Sequence, residues 1–128
     1  VQAETQKTDE RPKVAGVYLN RLRINMALQA DPTLVFAVGD FNLKRVLNVH
    51  KEIESPYNTY KYPGLPPGPI NLPEISALEA VLNYEDHDFL YFCAKEDFSG
   101  YHAFAKDYNE HMNNARRYQA ALNRSKIY

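Results

Sequence analysis

Val14, Val17, Tyr18 and Leu22 recur at helical spacing, which predicts an amphipathic helix over residues 10–24. Thr8 and Asp9 are N-cap types ahead of it, Pro12 suits its first turn, and Asn25 ends it. The residues before it carry no helix breaker, so Val1-Gln2-Ala3-Glu4 reads as the interior of a preceding helix. Asp31-Pro32-Thr33 starts another, running through Leu34-Val35-Phe36-Ala37-Val38 to Gly39. Leu43–His50 fits a strand and a helical turn equally well. After Pro73, the positions Ile75, Leu78, Val81 and Leu82 predict a helix of about ten residues. Phe89–Ala94 is aromatic-rich and bounded by charge, as a strand would be. Lys95–Gly100 can turn, and Tyr101-His102-Ala103-Phe104 can pair back antiparallel. From Asp107, Tyr108, Met112, Ala115, Tyr118 or Gln119, and Leu122 mark a closing helix. The expected fold is therefore α+β: a single compact domain of several helices, a small antiparallel β element and a proline-rich loop walling a groove.

That loop is residues 56–70, Pro-Tyr-Asn-Thr-Tyr-Lys-Tyr-Pro-Gly-Leu-Pro-Pro-Gly-Pro-Ile. Proline fixes φ and cannot donate to a strand ladder, so neither a helix nor a central strand fits. Tyr57, Tyr60 and Tyr62 argue against disorder, because disordered segments are poor in aromatics. A long loop of this kind is functional or disordered. Stiff backbone with tyrosine faces, an amide and a hydroxyl suits one wall of a groove, and equally a rigid cap over the core.

Composition narrows the function classes. Fifteen basic and sixteen acidic side chains leave a net charge of −1, with no field of one sign for nucleic acid or an anionic membrane. The single Cys93 excludes an internal disulfide framework and, mid-strand among aromatics, reads as a buried thiol rather than a nucleophile. His50, His87, His102 and His111 show no i, i+4 pair and no cysteine pair nearby, so no metal site is expected; Asp86-His87-Asp88 reads as a turn. The scattered glycines form no phosphate loop. Glu4, taken alone, is one helical acid among many, and no second carboxylate is marked by spacing as its partner.

A longer pattern adds to this. The ordered pieces are Val1-Gln2-Ala3-Glu4 with Glu10-Arg11, then Val17-Tyr18-Leu19-Asn20-Arg21-Leu22 and Met26-Ala27-Leu28-Gln29-Ala30-Asp31-Pro32-Thr33. Pro56-Tyr57-Asn58-Thr59-Tyr60, Gly64-Leu65-Pro66-Pro67-Gly68-Pro69-Ile70, Leu90-Tyr91-Phe92, His102-Ala103-Phe104 and Glu110-His111 follow. In these the chain resembles the YceG-like family of endolytic murein transglycosylases, from Val1 to about Tyr118. It departs from the family pattern at Glu74, at Met112 and in the short hairpin around Phe98-Ser99.

The resemblance implies non-hydrolytic cleavage of the β-1,4 bond between N-acetylmuramic acid and N-acetylglucosamine, leaving a 1,6-anhydromuramyl end. It places the catalytic glutamate at Glu4. It suggests substrate contact from Gln29, Asp31, Tyr57, Asn58, Tyr60, Asn20 and Arg21. Asp31 is also a candidate helix cap, and Asn20 and Arg21 are candidate braces for the Glu4 segment. No cofactor is implied; the partners are peptidoglycan glycan strands, with cell-wall synthases as further candidates. The setting implied is the bacterial cell envelope, at the periplasmic face of the inner membrane for an intact protein with an N-terminal membrane helix. Residues 1–128 would be the catalytic domain of that longer chain. The rival readings are a non-catalytic glycan-binding module and a pyridoxal-phosphate-dependent aminodeoxychorismate lyase. The lyase needs a Schiff-base lysine in a phosphate cradle.

Overall fold

A computed structural model describes residues 1–40 and 46–125. In chain order the elements are α1 (Arg11–Arg23), α2 (Asp31–Val38), a 3-10 turn (His50–Glu52), α3 (Ile75–Leu82), β1 (Tyr91–Ala94), β2 (His102–Ala105) and α4 (Tyr108–Ser125). The class is α+β, as the apolar pattern predicts. The chain forms two compact units: Val1–Asn20 with Glu74–Tyr128, and Arg21–Pro73.

In the first unit α1 buries Val14 and Val17 completely, worth about 1.5–3 kcal/mol each. Gly16 lies between them for a steric reason: a Cβ there would stand 2.4 Å from Glu85 O and 2.6 Å from His87 Nε2. The segment so closely approached is tied down by hydrogen bonds. Glu85 N donates to Pro12 O at 3.0 Å, and Asn20 Nδ2 donates to His87 O at 2.7 Å and Phe89 O at 3.0 Å. His87 Nδ1 accepts from Phe89 N at 3.0 Å, so Nε2 carries the proton toward Lys13 O, 2.8 Å away.

These bonds explain why the strand is shorter than Phe89–Ala94. Phe89 gives its N–H to His87 and its carbonyl to Asn20, so the ladder begins later. Strands β1 and β2 pair antiparallel in the register Tyr91↔Ala105, Phe92↔Phe104, Cys93↔Ala103, Ala94↔His102. Helix α4 packs on both strands. Asp107 caps it, its Oδ1 accepting from Glu110 N at 2.8 Å.

The second unit begins as α1 ends. Asn25 turns left-handed at φ 57°, and Met26 N donates to Arg21 O at 2.9 Å while Asn25 N donates to Leu22 O at 3.3 Å. This is a Schellman termination, so Asn25 does stop the helix. Helix α2 buries Thr33 and Leu34 and stops at Gly39, whose φ is 81°. Its first residue is Asp31, and the N-cap position is Ala30; the expectation that Asp31 caps this helix is thereby corrected. Residues 53–74 carry neither helix nor strand, as their prolines dictate.

Other differences are local. Helix α3 has eight residues rather than about ten, because Asn83 caps it at Glu79 O. Residues 1–7 form turns rather than the end of a helix, because Thr5 Oγ1 accepts from Lys7 N at 3.1 Å and diverts the backbone. Thr8 and Asp9 lie in the turn before α1, and the first helical hydrogen bonds run instead to Glu10 O. Of the ambiguous Leu43–His50 stretch, Leu43–Arg45 lie outside the described residues, and a 3-10 turn starts at His50.

Candidate active site

Glu4 stands in a turn in which its own N–H and that of Thr5 donate to Val1 O at 3.0 and 3.4 Å. What holds that turn is the buried residue after it. Thr5 is 3% exposed; its hydroxyl donates to Glu10 Oε2 at 2.9 Å and its carbonyl accepts from Arg11 Nε at 3.1 Å. Arg11 is 1% exposed, and its Nη1 reaches Glu74 Oε2 at 3.0 Å and Ser76 Oγ at 2.8 Å. Glu74 thus supplies the counter-charge for a buried guanidinium. Such a group is costly to bury unless paired. Gln2 adds a bond, its side-chain oxygen accepting from Glu74 N at 2.6 Å.

The Glu4 carboxylate is half-buried, and Tyr18 donates its hydroxyl to Oε1 at 2.9 Å. The Tyr18 ring meets Phe92 of β1 edge-on, with centroids 5.8 Å apart. Glu4 borders a cleft of about 370 Å³ that is also lined by Lys7, Ala94, Lys95, Phe98, Tyr101, His102 and Tyr118. That volume lies in the range of about 300–1,000 Å³ usual for ligand sites. On its rim, Tyr101 donates to both oxygens of Asp9 at 3.0 and 3.1 Å, and this bond holds the phenol proton above its ordinary range. Lys7 Nζ lies over the Tyr101 ring at 5.1 Å. Gly100 has φ 89° and would bring a Cβ to 3.0 Å from Lys7 Cε. The wall therefore joins aromatic faces to cationic and hydroxyl groups.

The remaining expected residues divide by environment. In the second unit, Tyr60 hydrogen-bonds Asp31 through its hydroxyl, and Lys51 Nζ lies 4.8 Å from the centre of its ring. Tyr57 packs on Phe36 at 4.7 Å, and Gly68 leaves space for its hydroxyl. Gln29 is exposed and held at φ 49°, its N–H donating to Thr59 O at 3.2 Å. A non-glycine residue in that conformation is uncommon and accumulates at functional sites. Along the same loop, the Glu54 carboxyl is held below its ordinary range by bonds from Lys61 and then Tyr62.

Asn58, Asn20 and Arg21 are different. Asn58 is fully buried, donating to Lys51 O at 2.9 Å and Ile53 O at 2.8 Å and accepting from Tyr60 N at 3.1 Å. Arg21 is buried and donates to Ala27 O at 3.0 Å and Leu28 O at 2.9 Å. Asn20 is buried against the segment 87–89 as described. For these three the expectation of sugar contact gives way to bracing of the main chain.

Three residues of the first-unit site, Glu10, Tyr18 and Tyr101, carry no site role in the sequence reading, and His102 is there only a position that fits core hydrogen bonding at least as well as substrate contact. Glu10 and His102 are 92 positions apart, a separation that no local spacing reveals. Among the described residues, no cluster of three or more His, Cys, Asp or Glu side chains gathers as a metal site.

Comparison with known proteins shows the family. The model of the YceG-like family matches residues 1–117. An endolytic murein transglycosylase of Bacillus subtilis (strain 168) is 42% identical over 123 residues, which cover 96% of this chain and 33% of that protein. Another from Streptococcus pneumoniae (serotype 2, strain D39) is 39% identical over 98 residues, covering 73% of this chain and 18% of that protein. A crystal structure of a yceG-like protein from Listeria monocytogenes superposes with a TM-score of 0.81 at 40% identity, covering 87% of this chain and 36% of that one. A family-model match over residues 1–117 and a relative 42% identical over 96% of the chain define the class. The chain belongs to the YceG-like family. It spans about a third or less of the length of these curated relatives.

Proposed function

We propose that this chain carries the catalytic acid of a lytic murein transglycosylase, and that the acid is Glu4. The observation behind the reading is the Glu4 carboxyl, half-buried on the cleft with the Tyr18 hydroxyl on one oxygen. Protonated Glu4 gives its proton to the glycosidic oxygen as the C1–O bond breaks and the muramyl ring gains oxocarbenium character. The carboxylate left behind takes the proton from the muramyl C6 hydroxyl while O6 bonds to C1. One bond is broken and one formed, Glu4 regains its proton, and water is not consumed. A second carboxylate, which hydrolytic glycosidases use as nucleophile or to activate water, is not needed. Proton transfer of this kind contributes about 10²–10⁴-fold in rate; the remainder must come from holding the strand.

Gln29, Asp31, Tyr57 and Tyr60 are the proposed sugar contacts of the second unit, and the aromatic rim of the cleft serves Glu4 directly. Prolines pre-set the loop that carries the tyrosines, which lowers the ordering cost of binding. The proposed setting is the cell envelope, at the periplasmic face of the inner membrane, with cell-wall synthases as proposed partners. No described helix is long and apolar enough to cross a membrane; anchoring by an N-terminal membrane helix of the intact protein is part of the proposal. The test is mass spectrometry of purified glycan strands incubated with the full-length protein. The reading predicts internal cuts whose muramyl ends lack one water relative to hydrolysis products. Hydrated ends, or no cuts, would overturn it.

A further inference from the structure

We propose that Glu10 is a positioning residue of the Glu4 cleft: it fixes His102 with the proton on Nδ1, so that Nε2 accepts a hydrogen bond from a substrate hydroxyl. The inference deepens the Glu4 reading and rests on it for the identity of the substrate.

Glu10 is 6% exposed, yet three donors converge on its carboxylate. Oε1 accepts from His102 N at 2.6 Å, and Oε2 accepts from His102 Nδ1 at 2.8 Å and from the Thr5 hydroxyl at 2.9 Å. The direction of each bond follows from its partners. The Thr5 hydroxyl already accepts from Lys7 N, so its own proton points to Glu10, and the backbone N–H of His102 can only donate. With both carboxylate oxygens accepting, Nδ1 must hold a proton. Nε2 is then the ring's remaining polar atom, on a side chain that lines the cleft with Glu4. The same carboxylate ties Thr5, the residue after Glu4, to the first residue of β2. Two walls of the cleft are set by one group.

Stability alone gives a weak reason for such a group. A buried acid costs desolvation that an apolar residue avoids, and apolar replacements of buried charged groups are often neutral or stabilising. What only a carboxylate provides is an acceptor for both N–H groups of one histidine. A neutral imidazole whose other nitrogen is a defined acceptor suits a hydroxyl-rich ligand. A carboxylate behind the ring makes Nε2 a stronger acceptor, as it does for metal-bound histidines.

Glu10→Gln separates positioning from packing, because glutamine keeps the volume but brings an NH₂ group. The fixed donor His102 N would claim the amide oxygen. The NH₂ group would then face Nδ1, driving the ring proton to Nε2 and turning the acceptor into a donor. In the full-length protein we expect kcat on glycan strands to fall about 10²-fold, the scale of a misplaced catalytic contact, with KM nearly unchanged. His102→Gln should fall similarly, and the double variant should lose no more than the worse single, because the two act as one unit. Ring ¹⁵N resonances of histidine-labelled protein should show His102 protonated at Nδ1 and not at Nε2, with the reverse in Glu10→Gln. The proposal is overturned by wild-type kcat in Glu10→Gln, by multiplicative losses in the double variant, or by a proton on Nε2 in the wild type. If Glu10→Gln does not fold, His102→Gln and the wild-type resonances still decide it. Absence of anhydromuramyl product from the wild type would instead overturn the Glu4 reading, and the ring resonances would still decide the tautomer.

Discussion

The Tyr18 hydroxyl donates to Oε1 of Glu4 at 2.9 Å, from a ring fixed edge-on against Phe92. Tyr18 is on α1 and Phe92 on β1, so the proposed acid is oriented by a half-buried side chain that packs against the hairpin of its unit. Tyr18→Phe keeps the ring and removes the bond. Hydrogen bonds to charged groups are worth about 1.5–3 kcal/mol, so kcat on glycan strands should fall about tenfold or more while the thermal midpoint stays near that of the wild type. Steady-state kinetics beside a melting curve checks this. An unchanged kcat would show that the bond does not matter to Glu4.

Gly16 makes a stability prediction independent of any chemistry. A methyl group there would meet the main-chain oxygen of Glu85 at 2.4 Å, and backbone cannot rotate away. Although alanine is the better helix former, Gly16→Ala should destabilise by about 1–3 kcal/mol through overpacking. Urea denaturation measures it, and a gain in stability would contradict the packing described.

Asn58 makes the corresponding prediction in the second unit. Removing its amide leaves the carbonyls of Lys51 and Ile53 and the N–H of Tyr60 short of partners. Each buried orphan costs about 1–3 kcal/mol, so Asn58→Ala should lose about 2–4 kcal/mol where the loop relaxes partly. Asn58→Asp, which keeps the acceptor and loses both donors, should not rescue it. Denaturation midpoints for the pair decide. If both match the wild type, the buried amide is not what holds the tyrosine loop.

Cys93 is half-buried in β1, and burial pushes its thiol above the ordinary cysteine range. The sign is simple: a raised pKa means less thiolate at a given pH, and the thiolate is the reactive form. Alkylation of the folded protein should therefore be slower than that of a free thiol near pH 8 and should climb at higher pH. Rates measured across pH 7–10, with the urea-unfolded chain as reference, test it. Equal folded and unfolded rates would contradict the assignment.

What the sequence made legible was local. The spacing of Val14, Val17 and Tyr18 is enough to place α1, and Asn25 and Gly39 end helices because each adopts the left-handed backbone that stops them. The aromatic run at Phe89–Ala94 identifies the hairpin, but its first residue, Phe89, is taken out of the ladder by His87 and Asn20, bonds set by tertiary contact. Glu4 stands out as a candidate only through the longer family pattern, since by chemistry alone it is one helical acid among many. Its supports were not assigned because Thr5, Glu10 and His102 meet only after folding. Asn58 looked like a ligand-facing amide for a related reason: residue type does not reveal that three backbone groups claim it.

The central claim is that the Glu4 proton is what cuts the strand, and Glu4→Gln tests it most directly by keeping the side chain's shape while removing the acid. Glycan strands would be incubated with the full-length wild type and variant, and anhydromuramyl ends counted by mass spectrometry. The account predicts that the wild type makes them and that Glu4→Gln is slower by at least about 10²-fold, the lower end of what acid–base catalysis contributes. Product release by Glu4→Gln at the wild-type rate would contradict it.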